Sequence, residues 1–207
     1  MKKSSTACFC LSLMLLASFG SAVNAAESAL MRDWRALQKQ QEYQAALQML
    51  EPEVQAANPE AIYLLGRMIS IGQGLPKDKT KAFEHFLDAA NKGYVGAMAR
   101  VGTLYKFKFK KSRDARNAKK SFYWTQKAAE AGSPAGLFNL AINYESAIGV
   151  PRNLVYAHMW MDLAARQEGN PVIKKFLKMI AKQMTSAEIN TAKELATACE
   201  QLKYKGC

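Results

Sequence analysis

Three stretches of this 207-residue chain restate one pattern: a first helix with a small residue at a fixed offset, then a second helix that closes on Ala-Ala and a Gly. They run from Ala61-Ile-Tyr-Leu-Leu-Gly66 to Asp88-Ala-Ala-Asn-Lys-Gly93, from Ala97-Met-Ala-Arg-Val-Gly102 to Lys127-Ala-Ala-Glu-Ala-Gly132, and from Gly136-Leu-Phe-Asn-Leu-Ala141 to Leu163-Ala-Ala-Arg-Gln-Glu-Gly169. The alanine pairs recur at Ala90, Ala129 and Ala165, giving periods of 39 and 36 residues. A two-helix unit of this size cannot bury its apolar faces alone. It must stack on its neighbours, so the chain is expected to be an all-α solenoid of antiparallel helix pairs.

The units are placed at about 58–93, 94–132 and 133–169. Residues 26–57 read as N-terminal capping helices, the first around Ala29 to Gln40 and the second around Tyr43 to Ala57. Residues 170–207 read as C-terminal capping helices, one from Pro171 to about Met184 and one from Ser186 toward Cys199. In the first unit Ala61, Leu65 and Ile69 follow helical spacing with Met68 on the same stripe. Gly66 costs about 1 kcal/mol against Ala in mid-helix, which is tolerable where a neighbouring helix comes close. Gly102 and Ala141 hold the same place. The turn Gly72-Gln-Gly-Leu-Pro-Lys-Asp78 ends the first helix, and Asp78 is placed to cap the next.

Leu65-Gly66, Gly72-Gln-Gly74-Leu-Pro-Lys-Asp78, Lys81-Ala82, Lys120-Ser-Phe-Tyr-Trp124 with Lys127-Ala-Ala-Glu-Ala-Gly132, and Tyr156-Ala-His-Met-Trp160 resemble the Sel-1-like repeat, a two-helix relative of the tetratricopeptide repeat. The resemblance covers about residues 42–169. It implies a right-handed superhelix whose inner face holds proteins or peptides. The chain departs from the pattern at His85, where the family usually has an aromatic. It departs again in the second unit, where a longer basic segment replaces the Gly-rich turn.

Residues 1–25 have the three parts of a secretory leader: Lys2 and Lys3, an apolar run from about Cys8 to Phe19, and the small-residue site Val23-Asn24-Ala25. A run of roughly 12 residues is too short to span a bilayer. Cleavage after Ala25 and a mature chain without a membrane helix are expected. The leader is of the bacterial kind, which makes the periplasm the expected location and full secretion the alternative. Cys8 and Cys10 open the apolar run, whereas an acylated cysteine would follow it, so no lipid anchor is expected.

Cys199 and Cys207 are the cysteines beyond the leader, and in an oxidising compartment an isolated pair is most simply a disulfide. Eight helical steps would hold them about 12 Å apart, beyond disulfide reach. The last helix must therefore end between them. On the loop-entropy model the closed ring contributes on the order of 2.5 kcal/mol.

The formal net charge is +12, and +10 without Lys2 and Lys3. Such a basic chain favours anionic partners. The charge concentrates at Lys106, Lys108, Lys110, Lys111, Arg113, Arg116, Lys119 and Lys120, against the single acid Asp114, with Phe107 and Phe109 interleaved. One reading is a docking segment for an anionic envelope polymer, a lipid surface or an acidic protein. The other is a solvated loop whose phenylalanines complete the seam between units. Nucleic acid could use the same residues for phosphates and stacking, but an exported chain rarely meets it. Lys174, Lys178 and Lys182 share a second basic face on a capping helix, read as solvated.

No constellation for catalysis is present. Ser-x-x-Lys, Gly-x-Ser-x-Gly and a cysteine with a companion histidine are all missing, and Gly72-Gln-Gly74 lacks a phosphate-loop lysine. His85 reads as a packing residue and His158 as exposed. Neither has neighbours at metal-ligand spacing, so no metal or cofactor is expected. Relatives described as beta-lactam binding or hydrolysing carry a disulfide in each repeat, unlike this chain. Trp124 and Trp160 hold one repeat position and form, with His85, a stripe read as core. Trp34 has no repeat counterpart.

The expected function is non-enzymatic: an adaptor that binds a protein or peptide of the cell envelope along the inner face. If the geometry follows the tetratricopeptide case, Tyr63, Arg67 and Ser70, then Thr103 and Lys106, then Phe138 and Glu145 face that groove.

Overall fold

The computed structural model describes residues 27–207; the stretch expected to be a leader, with Cys8 and Cys10, lies outside the described residues. Two N-terminal helices, α1 (Ala29–Gln40) and α2 (Tyr43–Gln55), precede three pairs: α3 (Pro59–Ile71) with α4 (Lys79–Asn91), α5 (Val95–Ser112) with α6 (Ala115–Glu130), and α7 (Pro134–Glu145) with α8 (Leu154–Glu168). Helices α9 (Pro171–Ala181) and α10 (Ser186–Gln201) close the chain, and the described residues contain no strand. The result is a helical solenoid. Each helix packs on the next from α1 to α9, and α10 returns to lie on α8.

Local chemistry fixes the helix starts. Asn58, Ser133 and Asn170 each accept a hydrogen bond from a first-turn backbone N–H, and a proline opens each of those helices. Proline is suited to that position because its missing N–H would have no helical partner. Asp78 accepts from Thr80 and Lys81 and starts α4. Such caps contribute about 1 kcal/mol each.

The small-residue positions are points of close approach. A Cβ on Gly102 would stand 2.6 Å from Thr125 Cγ2, and one on Gly136 would stand 2.5 Å from the Ala128 carbonyl carbon. Gly66 is looser, with His85 Cβ and Phe86 Cε1 at 3.0 Å. Buried polar groups tie the same layers together. Ser121 Oγ donates to the Gly102 carbonyl at 2.9 Å, and Asn143 Nδ2 donates to Thr125 Oγ1 at 2.8 Å. At the N-terminal end the Glu60 carboxylate accepts from Ser28 Oγ at 2.6 Å and from the Tyr94 hydroxyl at 3.2 Å. Burial, then the neighbouring Glu60 charge, pushes the Tyr94 hydroxyl well above the usual tyrosine range.

The chain end turns back where the cysteine spacing requires it. Helix α10 stops at Gln201, Lys203 and Tyr204 take left-handed conformations, and Cys199 joins Cys207 in a disulfide with Cα atoms 5.5 Å apart. The turn buries Tyr204, whose hydroxyl accepts from Gln167 Nε2 at 2.8 Å.

Three sequence expectations need correction. The packing stripe of α3 runs through Leu64, fully buried, and leaves Leu65 half-buried, because α3 packs on both sides: Ala61, Leu64 and Met68 face the first core, Ile62 and Ile69 the second. The basic segment is not a loop. Helix α5 continues to Ser112 and α6 starts at Ala115, since neither glycine nor proline interrupts residues 103–133 before Gly132. His158 is 3% exposed rather than solvent-facing, because α8 is covered by α7, α9 and α10.

Candidate functional site

Within the first-helix layer two helix pairs meet directly. Helix α1 touches α3, α5 packs directly on α7, and Phe138 of α7 meets Phe176 of α9 edge to face at 5.4 Å, while α4, α6 and α8 make no comparable contact with one another. These contacts tie the first-helix layer together at the α1–α3, α5–α7 and α7–α9 joints.

The sequence-assigned inner residues fall on this layer, and most are engaged by the neighbouring helix. Tyr63 packs against Phe86 and Tyr94, with ring centroids 5.6 and 5.0 Å away. The Arg67 guanidinium lies 4.5 Å above the Trp34 ring, which gives the buried Trp34 a place: it is the floor under an arginine. Ser70 and Thr103 bond back to their own helices through the Arg67 and Ala99 carbonyls. Glu145 is half-buried at the end of α7, where its carbonyl accepts from Arg152.

The sequence places Lys106 both on the inner face and in the basic segment, and in the structure it is buried against α7 rather than solvated. Only 9% exposed, it donates through Nζ to Asn139 Oδ1 at 2.7 Å, and Asn139 Nδ2 donates to the Ala135 carbonyl at 2.8 Å. Among the described residues no carboxylate forms an ion pair with it. Burial, helped by the nearby Lys110 charge, lowers its pKa to about 8. Ala135 also borders an open pocket of about 290 Å³ lined by Pro134, Phe138, Val172 and Ile173. A buried ammonium and an apolar pocket thus share one stretch of α7. Sequence reasoning missed Asn139 and Phe176; the one signal for Asn139 was a lone amide inside an apolar run.

The other basic residues spread over the tip of the α5–α6 hairpin. Lys108, Lys110, Lys111, Arg113, Arg116, Lys119 and Lys120 are exposed, and Phe107 is 60% exposed while Phe109 is half-buried. Arg116 pairs with Asp114 at 2.9 Å. Lys108 Nζ stands 3.7 Å from the Phe83 ring centre, and Lys120 Nζ 5.3 Å from that of Tyr105. These cations rest on aromatic faces, which attract them without neutralising them.

The stripe through Trp124 and Trp160 is buried, with His85 half-buried beside Gly66. Burial lowers the pKa of His85 and of His158. Among the described residues no three of His, Cys, Asp and Glu gather as metal ligands would, and no described helix is long and apolar enough to cross a membrane.

The Sel1 repeat family matches residues 59–94, 96–133 and 134–168, more than half of the chain. The chain belongs to the Sel1 repeat family. The alginate biosynthesis protein AlgK of Azotobacter vinelandii is 29% identical over 154 residues, covering 72% of this chain and 31% of that protein. The chitin synthase regulator SKT5 of Saccharomyces cerevisiae is 30% identical over 131 residues, covering 61% of this chain and 18% of its own length. The chain therefore spans a third or less of these two relatives. A crystal structure of a Sel1 repeat protein from Oxalobacter formigenes matches with a TM-score of 0.55 at 31% identity, over 64% of this chain and 96% of that one. Sel1 repeats typically form scaffolds for protein contact.

Proposed function

We propose that this Sel1 repeat chain works by binding rather than catalysis, as an exported scaffold of the cell envelope that holds a protein or peptide along its inner face. The observation that carries the reading is Lys106. Burying a cation without a carboxylate is costly, and an acidic side chain of a partner would supply the missing charge while an apolar neighbour fills the pocket at Phe138 and Val172. The middle of a helix has no free backbone N–H to hold a chain terminus, so a side-chain carboxylate is the better fit. Periplasmic location is supported by the leader pattern and by the Cys199–Cys207 disulfide, a bond that persists in oxidising compartments.

A photo-reactive residue at Thr103, on the inner layer, and another at Tyr123, exposed on α6, test this in cells expressing the full chain. One envelope partner should cross-link from Thr103 and not from Tyr123, and Phe138→Ala should abolish it. Capture from Tyr123 alone, or recovery of the chain from the cytoplasm, would sink the reading.

The charge distribution favours a second reading, in which the partner is an anionic polymer or membrane surface. Residues 95–130 carry ten basic and two acidic side chains, whereas the rest of the chain from Glu27 on carries 17 and 15. The relative named for alginate biosynthesis keeps a carboxylated polysaccharide among the candidates for that surface.

A further inference from the structure

In a stack of antiparallel pairs, all turns from first to second helix lie along one edge and all returns along the other. Contacts between turns and neighbouring helices bear this out. The α3–α4 turn packs at Gly74 onto Tyr43, the first residue of α2. The α7–α8 turn packs at Gly149 onto Ala118 near the start of α6, and Arg152 of that turn donates to Gln183 between α9 and α10 at 2.7 Å. Lys108 on Phe83 joins the α4 start to the α5 end.

The two edges differ in charge. On the turn edge, Lys77, Lys79 and Lys81 flank the first turn with one acid, Asp78; Lys110, Lys111, Arg113 and Arg116 crown the second with one acid, Asp114; and Arg152 stands with Glu145 at the third. The return edge is close to neutral: Glu53, Glu60, Glu130 and Glu168 stand near its connections together with Lys92, Lys127, Lys174 and Lys175. Two large apolar side chains stand among the cations of the turn edge: Ile71, the last residue of α3, is 55% exposed, and Phe107 is 60% exposed.

We propose that this turn edge docks on an anionic lipid bilayer, with the lysines and Arg113 against the headgroups and Ile71 and Phe107 inserted at the acyl boundary. A bilayer surface takes up both kinds of side chain at once, attracting basic residues electrostatically and burying exposed apolar ones at the interface. A hydrated polyanion would use the charges but has no apolar phase for an isoleucine. An acidic protein would engage the cations clustered at the α5–α6 tip, whereas a bilayer surface also meets the separate lysines of the α3–α4 turn along the same edge. Docking by the edge leaves the inner face open, so the inference stands apart from the groove reading and rests on the second reading, which it narrows to a lipid bilayer.

The test is sedimentation of the full exported chain with vesicles of equal parts phosphatidylglycerol and phosphatidylcholine, and with vesicles of phosphatidylcholine alone. The chain should bind the first and not the second. Each basic residue near an anionic surface multiplies partitioning about fivefold, so the triple variant Lys110→Glu, Lys111→Glu, Arg113→Glu should lose about a hundredfold or more. Phe107→Ser keeps every charge and should weaken vesicle binding several-fold while leaving any binding to soluble polygalacturonate unchanged. These side chains are exposed, and circular dichroism confirms that the variants remain folded. No binding to the anionic vesicles overturns the proposal, as does indifference to the triple reversal. Polygalacturonate binding tighter than vesicle binding, with no effect of Phe107→Ser on either, overturns it in favour of a polymer.

Discussion

Lys106 on α5 gives its ammonium to Asn139 on α7 at 2.7 Å, so the first helices of the second and third units are joined by a buried cation and an amide. Because burial lowers this pKa to about 8, the unfolded chain holds the extra proton between pH 8 and 10.5, and stability rises with pH across that window. The penalty acts in full below pH 8. Relative to Lys106→Met, the parent should gain on the order of 3 kcal/mol between pH 7 and 10.5, at about 1.4 kcal/mol per unit. Urea unfolding of both chains at the two pH values checks this. An unchanged difference would mean that the ammonium is solvated.

Gly136 and Gly66 should respond differently to alanine. At Gly136 the new Cβ would meet the backbone of Ala128 and Ala129 at 2.5 and 2.6 Å, and backbone cannot swing aside. Gly136→Ala should cost about 1–3 kcal/mol as overpacking. At Gly66 the contacts are 3.0 Å, one of them to the Phe86 ring edge, and helix propensity returns about 1 kcal/mol. Gly66→Ala should therefore be close to neutral. Thermal unfolding of the two variants would rank them, and equal losses would contradict the close approach of α7 to α6.

His158 should shape the acid limb of stability. Its ring is buried, its Nδ1 has no hydrogen-bond partner, and burial lowers its pKa below 6.5 against a weaker opposing pull from Asp162. As pH falls below 6.5 the unfolded chain takes the proton first, so stability drops until the pH passes the folded value. His158→Phe removes this contribution and should stay within about 1.5 kcal/mol of the parent at pH 7. Melting temperatures followed downward from pH 7 should fall less steeply for the variant; parallel curves would show that His158 does not titrate on unfolding.

The disulfide should act as a local clip. Reducing Cys199–Cys207 releases the turn that buries Tyr204 and frees about 2.5 kcal/mol of loop-closure entropy at the chain end. Hydrogen exchange should rise from Ala198 to Tyr204 and stay unchanged in α3 to α6. Uniform loss of protection would show that the bond stabilises the whole stack.

What the sequence made legible was periodic. Ala90, Ala129 and Ala165 marked the unit length, and the small residues at Gly66 and Gly102 marked where helices approach, because stacking imposes the same demand in every unit. The α5–α6 connection escaped because the first unit set an expectation of a Gly-rich turn, while the lysine and phenylalanine run contains nothing to stop a helix. His158 escaped for another reason: α10, far along the chain, covers α8, and local spacing does not encode that contact. Helical position placed Lys106 on α5 facing the next unit's first helix only in outline. The acceptor waiting on the next unit, Asn139, is a pairing that only the packed structure brings together.

The hydrogen bonds that Glu60 accepts from Ser28 and Tyr94 bear on how the stack comes apart. In a solenoid joined only through nearest neighbours, tension at one end peels units off in sequence. Here one carboxylate spans the cap before α3 and the start of α5, so α1 cannot detach without loosening the joint between the first and second pairs. Pulled from its N-terminal end, the chain should yield that whole end in a single rupture, and Glu60→Ala should split the event into two smaller ones.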